Sequence, residues 1–161
     1  MFQRAKQFTK AAELFSQAKL FDRAIDMYFQ AGNFDNAIQL INEYPSLPLD
    51  LDRYASLLGE EGLMIESAQL YERAEWYEDA GYQYQLAGES IKAAENFEKA
   101  EIYTLAGECY LDSERYTEAG EMFIKTKRFR LAAEAFLKAD DKEKALANYI
   151  EAKDFLDASV V

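Results

Sequence analysis

Phe129-Arg-Leu-Ala-Ala-Glu-Ala-Phe136-Leu-Lys-Ala139 places apolar residues three, four, seven and ten residues after the first. That is the i, i+3, i+4, i+7 spacing of one helical face. The same thirteen-residue phrase appears near the start as Phe8-Thr-Lys-Ala-Ala-Glu-Leu-Phe15-Ser-Gln-Ala18. Phe21, Phe34, Tyr77, Tyr103, Tyr116 and Phe155 lead further copies, each with an alanine three residues on. Ala93 and Ala145 hold that phase behind Ser90 and Lys142. Numbered from the lead residue, positions 1, 4, 5, 8 and 11 are apolar. A period this regular marks a repeat array rather than a pocketed globule.

The period also forbids a continuous helix. Thirteen residues at about 100° each leave the stripe about 140° out of register with the next copy, so the chain must break once per unit. Gly32, Gly62 and Gly88 fall at position 12, where a left-handed C-cap favours glycine. Asp22, Asp35, Asp52 and Glu78 fall at position 2, where the helix dipole favours a carboxylate. Helices of about ten residues are marginal alone and persist by burying their stripes against neighbours. The expected fold is all-α: a right-handed α-solenoid of antiparallel hairpins, 26 residues each, with about twelve short helices in two layers and no sheet.

The beat slips once. Leu47-Pro-Leu-Asp50 is inserted before the frame resumes at Leu51, and both prolines, Pro45 and Pro48, lie here. Residues 44–50 are therefore expected as a longer loop between hairpins. Residues 1–161 otherwise read as a single solenoid segment. The frame puts Phe2 at position 8 and Ala5 at position 11, so the chain opens inside a unit, and it stops inside another, Phe155 to Val161. Uncapped ends predict a piece of a longer array, or one closed by self-association.

Composition narrows the function. One cysteine among 161 residues leaves no internal disulfide and suits a reducing, cytoplasmic setting. No apolar run approaches the length of a membrane span, and no signal peptide opens the chain. The net charge of −12 is concentrated: residues 50–122 hold eighteen acidic and five basic residues, while residues 1–49 balance and residues 123–161 sum to +1. Such a balance disfavours nucleic acid, which demands basic neutralisation of phosphate. The cluster Lys125, Lys127, Arg128, Arg130 is too small to reverse it and reads as a solvated turn.

Chemistry-bearing motifs are absent. Without histidine there is no catalytic triad and no imidazole metal ligand. No phosphate loop or dinucleotide fingerprint occurs. Asp50 to Glu61 matches a calcium loop at three carboxylate places but has Ala55 where that loop needs glycine. Cys109 occupies position 7, where Leu14, Met27, Leu40, Leu57, Leu70 and Met122 stand elsewhere, and reads as a packing residue. No catalytic, cofactor or metal site is expected. The candidate partner-binding residues are Trp76, in the turn at position 13, and Tyr82, at the outward position 6. Glu95 and Glu121 join them as a row of position-6 carboxylates suited to steering a basic partner segment.

Ala68-Gln-Leu-Tyr-Glu-Arg-Ala-Glu-Trp-Tyr-Glu-Asp-Ala80 and Ala106-Gly-Glu-Cys-Tyr110 carry an alanine–aromatic pattern. It resembles tetratricopeptide-like α-solenoids, without their 34-residue unit or Trp-Leu-Gly signature. It is most similar to the irregular helical hairpins of intraflagellar-transport and coatomer-type coat subunits, and less so to soluble NSF attachment proteins. The resemblance implies a non-catalytic protein–protein scaffold in a large assembly. The alternative expectation is a regulatory repeat segment of a larger ATPase- or helicase-type protein.

Overall fold

The computed structural model describes residues 2–153, with the side chain of Phe2 excepted. Eleven helices follow in order: α1 (Phe2–Gln17), α2 (Phe21–Ala31), α3 (Phe34–Glu43), α4 (Leu51–Glu60), α5 (Met64–Arg73), α6 (Tyr77–Leu86), α7 (Ser90–Lys99), α8 (Tyr103–Asp112), α9 (Tyr116–Lys125), α10 (Phe129–Lys138) and α11 (Lys142–Glu151). No strand occurs among the described residues. From α2 onward each helix starts at position 1 of the thirteen-residue frame, and consecutive helices pack together from α1 to α3 and from α5 to α11. The protein is an α-solenoid of helical hairpins.

The breaks are made by one residue each. Among the described residues, position 12 adopts the left-handed conformation in every unit except the opening half-unit and the one running into the 44–50 loop. Three of these residues are Gly32, Gly62 and Gly88; seven others carry side chains: Lys19, Glu75, Glu101, Glu114, Lys127, Asp140 and Lys153. The N–H of position 13 then reaches back to the carbonyl of position 8, as in Trp76 to Tyr71 (2.9 Å) and Arg115 to Tyr110 (2.8 Å). Position 12 bonds to position 9, as in Glu75 to Glu72 (3.0 Å). This pair is a Schellman motif, which satisfies the last carbonyls of the helix. Position 13 is at once the N-cap of the next helix. Its carbonyl accepts from the position-4 alanine, as Ala80 N–H to Trp76 (3.0 Å). A side-chain cap is formed only at Asp141, which accepts from the Lys144 N–H, among the described N-caps.

One expected break is missing. The frame places a turn at Lys6 and Gln7, yet α1 runs unbroken from Phe2 to Gln17. The piece before the turn is shorter than two helical turns, and continuing the helix pairs more of its backbone than a separate helix could. The half-unit led by Phe155, with Ala158, lies outside the described residues.

The chain divides into two compact units that meet between Leu51 and Asp52, directly after the loop at 44–50. In the first, α2 packs against α1 and α3, burying Ala12, Ala24, Ile25, Tyr28, Phe29, Ala37 and Ile41. Tyr44, opening the loop, stacks on Phe21 of α2 with ring centroids 3.8 Å apart.

In the second unit the helices alternate between two layers. Ion pairs join helices two apart: Glu72 of α5 to Lys99 of α7, Glu98 of α7 to Lys125 of α9, and Glu121 of α9 to Lys144 of α11. Gly59 of α4 likewise abuts the Gln83 side chain of α6. One continuous core runs from Ala68 to Ala145 through Tyr84, Phe97, Tyr110, Phe123 and Phe136. Positions 4, 5 and 8 are buried as the stripe predicts, but positions 1 and 11 are only half-buried and position 7 replaces them. Position 7 faces the helix two before: Asn96 donates from Nδ2 to Glu72 Oε1 at 2.9 Å.

Packing between layers follows a pairing that spans sixteen residues. Position 5 of one helix meets position 8 of the next. A Cβ on Gly81, Gly107 or Gly120 would lie 2.7, 2.8 or 2.7 Å from the ring of Phe97, Phe123 or Phe136. Where position 5 is Ala55, Ala68, Ala94 or Ala133, the residue sixteen on is Tyr71, Tyr84, Tyr110 or Tyr149. The three phenylalanines are at most 1% exposed, whereas these tyrosines are 2–7% exposed. A tyrosine must keep its hydroxyl on a polar partner. Tyr84 donates to Glu72 at 2.8 Å and Tyr110 to Glu98 at 3.3 Å. Its ring stays shallower and leaves room for a methyl group; phenylalanine goes deeper and requires glycine.

Candidate interaction surface

A position-6 side chain stands opposite the core face of its helix, and the structure leaves Glu13, Gln69, Tyr82, Glu95, Glu108, Glu121 and Glu134 exposed there. Positions 2, 3, 9 and 10 flank position 6, so each helix of the second unit contributes five outward places. The two layers use them differently.

On α5, α7 and α9 one outward carboxylate each is matched by a lysine two helices on. Glu72 is a hub: its carboxylate accepts from the Tyr84 hydroxyl and Asn96, and Lys99 stands 3.8 Å away. Twenty-six residues later Glu98 accepts from the Tyr110 hydroxyl and from Lys125 at 2.9 Å. The same lysines lie over rings of the other layer, Lys99 over Tyr77 at 5.3 Å and Lys125 over Tyr103 at 4.5 Å. Burial and the neighbouring carboxylates push the Tyr84 phenol well above its ordinary range, and they push Tyr110 up to about 12. Arg115 and Glu118 form a further ion pair on this side of the array, which holds the Glu118 carboxyl below its usual range.

On α6 and α8 the outward surface has no such balance. Tyr77–Leu86 and Tyr103–Asp112 contain no lysine or arginine, but they carry Glu78, Asp79, Glu108 and Asp112. Tyr82 and Leu86 lie exposed on α6, at 42% and 69%. Leu105 and Leu111 of α8 are partly buried, and Leu131 and Leu137 extend the apolar surface onto α10.

The four candidate residues do not form one cluster. Glu95 and Glu121 stand on α7 and α9, in one layer, whereas Tyr82 stands on α6, in the other. Glu121 has Lys144 3.8 Å away, so its charge is partly matched. Tyr82 lays its ring edge-on against Phe97 of α7, with centroids 5.1 Å apart. Trp76, 48% exposed, stacks on Tyr71 at 6.4 Å and 17°. That is the position 13 to position 8 contact of the Schellman motif, so this tryptophan covers the junction after α5. Cys109 is 1% exposed, and burial raises its thiol to about 11. It packs in the core.

Sequence reasoning missed the leucines of α6, α8 and α10. The signal was available: apolar residues at positions 3, 9 and 10, outside the stripe. No helix among the described residues is long and apolar enough to cross a membrane. No protein-family model matches this chain, and no curated protein matches it in sequence.

Proposed function

We propose that the chain is a non-catalytic scaffold that docks other proteins along its helical array. The observation that supports this most directly is the recurrence of equivalent outward positions. Every 26 residues the same five places return on the next helix of a layer, giving rows of side chains about 10 Å apart. Such a periodic surface suits a segment that lies across several helices at once. The acidic excess of residues 50–122 suits partners with basic segments and speeds their encounter. A resemblance to transport and coat-type hairpins supports a role within a multi-subunit assembly, with a cytoplasmic setting as part of the proposal.

The test is to isolate the full chain from the cells that make it, with cross-linking and mass spectrometry of what accompanies it. Stoichiometric partners cross-linked to outward positions of two or more helices support the scaffold. A chain that sediments alone at cellular concentration overturns it.

A further inference from the structure

We infer that the outer face of α6 and α8, continued onto α10, is a docking groove for a basic amphipathic helix of a partner protein. This rests on the scaffold reading and assigns it a face. Two independent observations converge there. The first is apolar: Leu86, Leu131 and Leu137 are 69%, 37% and 38% exposed, Tyr82 is 42% exposed, and the half-buried Leu105 and Leu111 lie between them in sequence on α8. Solvated leucines in rows on neighbouring helices mark an interaction surface.

The second is electrostatic. Neither α6 nor α8 has a basic residue, and Glu78, Asp79, Glu108 and Asp112 are all exposed without an ion-pair partner among the described residues. Lys99 and Lys125 face Glu72 and Glu98 of the other layer. In the other layer Glu72, Glu98 and Glu121 each have a lysine on the helix two further on. Exposed leucines beside the unpaired carboxylates of α6 and α8 complement a helix with one apolar stripe flanked by lysine or arginine. Such a helix fills the groove between two parallel neighbours with i, i+3, i+4, i+7 anchors.

The probe is a fluorescein-labelled 18-residue peptide with a leucine stripe and lysine flanks, titrated into the full chain and followed by anisotropy. Glu108→Lys with Asp112→Lys should weaken binding at least tenfold, and Leu86→Ser at least threefold, with unchanged helical circular dichroism. Replacing every lysine of the peptide by glutamate should abolish binding. Leu86 is so exposed that its serine variant tests the groove even if the double reversal disturbs folding. The inference is overturned if the lysine peptide does not bind, or if it binds these variants as tightly as the original chain. It is also overturned if Glu95→Lys with Glu121→Lys weakens binding more than the α8 reversal. Sedimentation that shows self-association broken by Leu86→Ser would give the groove to a second copy instead. With the assembly partners, capture that survives the α8 reversal sinks this face and leaves the scaffold standing. Absence of any partner sinks the scaffold itself.

Discussion

Gly107 shows how much one hydrogen atom decides. A methyl group there would sit 2.8 Å from Phe123 Cε1, and that ring is already 1% exposed. Gly107→Ala gains helix propensity of about 0.5–1 kcal/mol but overpacks by about 1–3 kcal/mol. The expected net is a lower melting temperature; a rise would show that Phe123 retreats freely. Gly81, Gly107 and Gly120 are visible in the sequence at position 5, inside helices where close packing offsets the cost of glycine. Their partners are not. The sixteen-residue pairing appears only when the helices are stacked and the tyrosine hydroxyls are seen to have acceptors. Titration adds a second expectation at this scale. Cys109 and Tyr110 have folded values of about 11 and 12 against ordinary values of 9.0 and 10.0, both raised first by burial. The folded state therefore holds these protons after the unfolded chain has released them. Their contribution to stability is full below about pH 9 and declines as pH climbs towards 12. Urea midpoints measured from pH 8 to 11.5 should fall, and Cys109→Ala with Tyr110→Phe should flatten the decline. A slope untouched by the pair would place the alkaline loss elsewhere.

At the scale of the element, the helix ends carry the lesson. Glycine at position 12 was readable in three units, yet seven side chains occupy the same left-handed conformation. The reading from composition failed there because the neighbours, not the residue, impose the turn: the core fixes both flanking helices, and position 12 must comply. Each such residue is held against a steric cost of about 1–2 kcal/mol. Glu114, exposed at φ 59°, is a clean place to relieve it. Glu114→Gly should raise stability by about 0.5–1 kcal/mol, after allowance for glycine's larger unfolded entropy. Chemical denaturation checks this, and a loss of stability would mean the glutamate has a role in the folded state. Asp141 is the opposite case. Its side chain caps α11, and Asp141→Ala should cost about 1 kcal/mol.

For the whole molecule, periodicity told the fold: a stripe that loses register once per thirteen residues can only be a stack of short helices. It did not tell the surface, since outward places follow no packing rule and their meaning depends on which helices share a layer. Stability in such an array is a sum of neighbour contacts. Helix α3 buries only Ala37 and Ile41, whereas α7 to α10 each bury four residues. Amide hydrogen exchange should therefore run fastest through α3 and the 44–50 loop and slowest through α7 to α10. Uniform protection would show a single cooperative block. The position-12 joints have one more consequence, a mechanical one. A side chain confines its joint to a narrow left-handed basin, while glycine moves through a wide one. The five joints from Glu101 to Lys153 all bear side chains; Gly62 and Gly88 precede them. Under tension the compliance of the second unit concentrates at Gly62 and Gly88, and α7 to α11 yields as a stiff spring whose loaded joints, once pulled open, release strain instead of storing it.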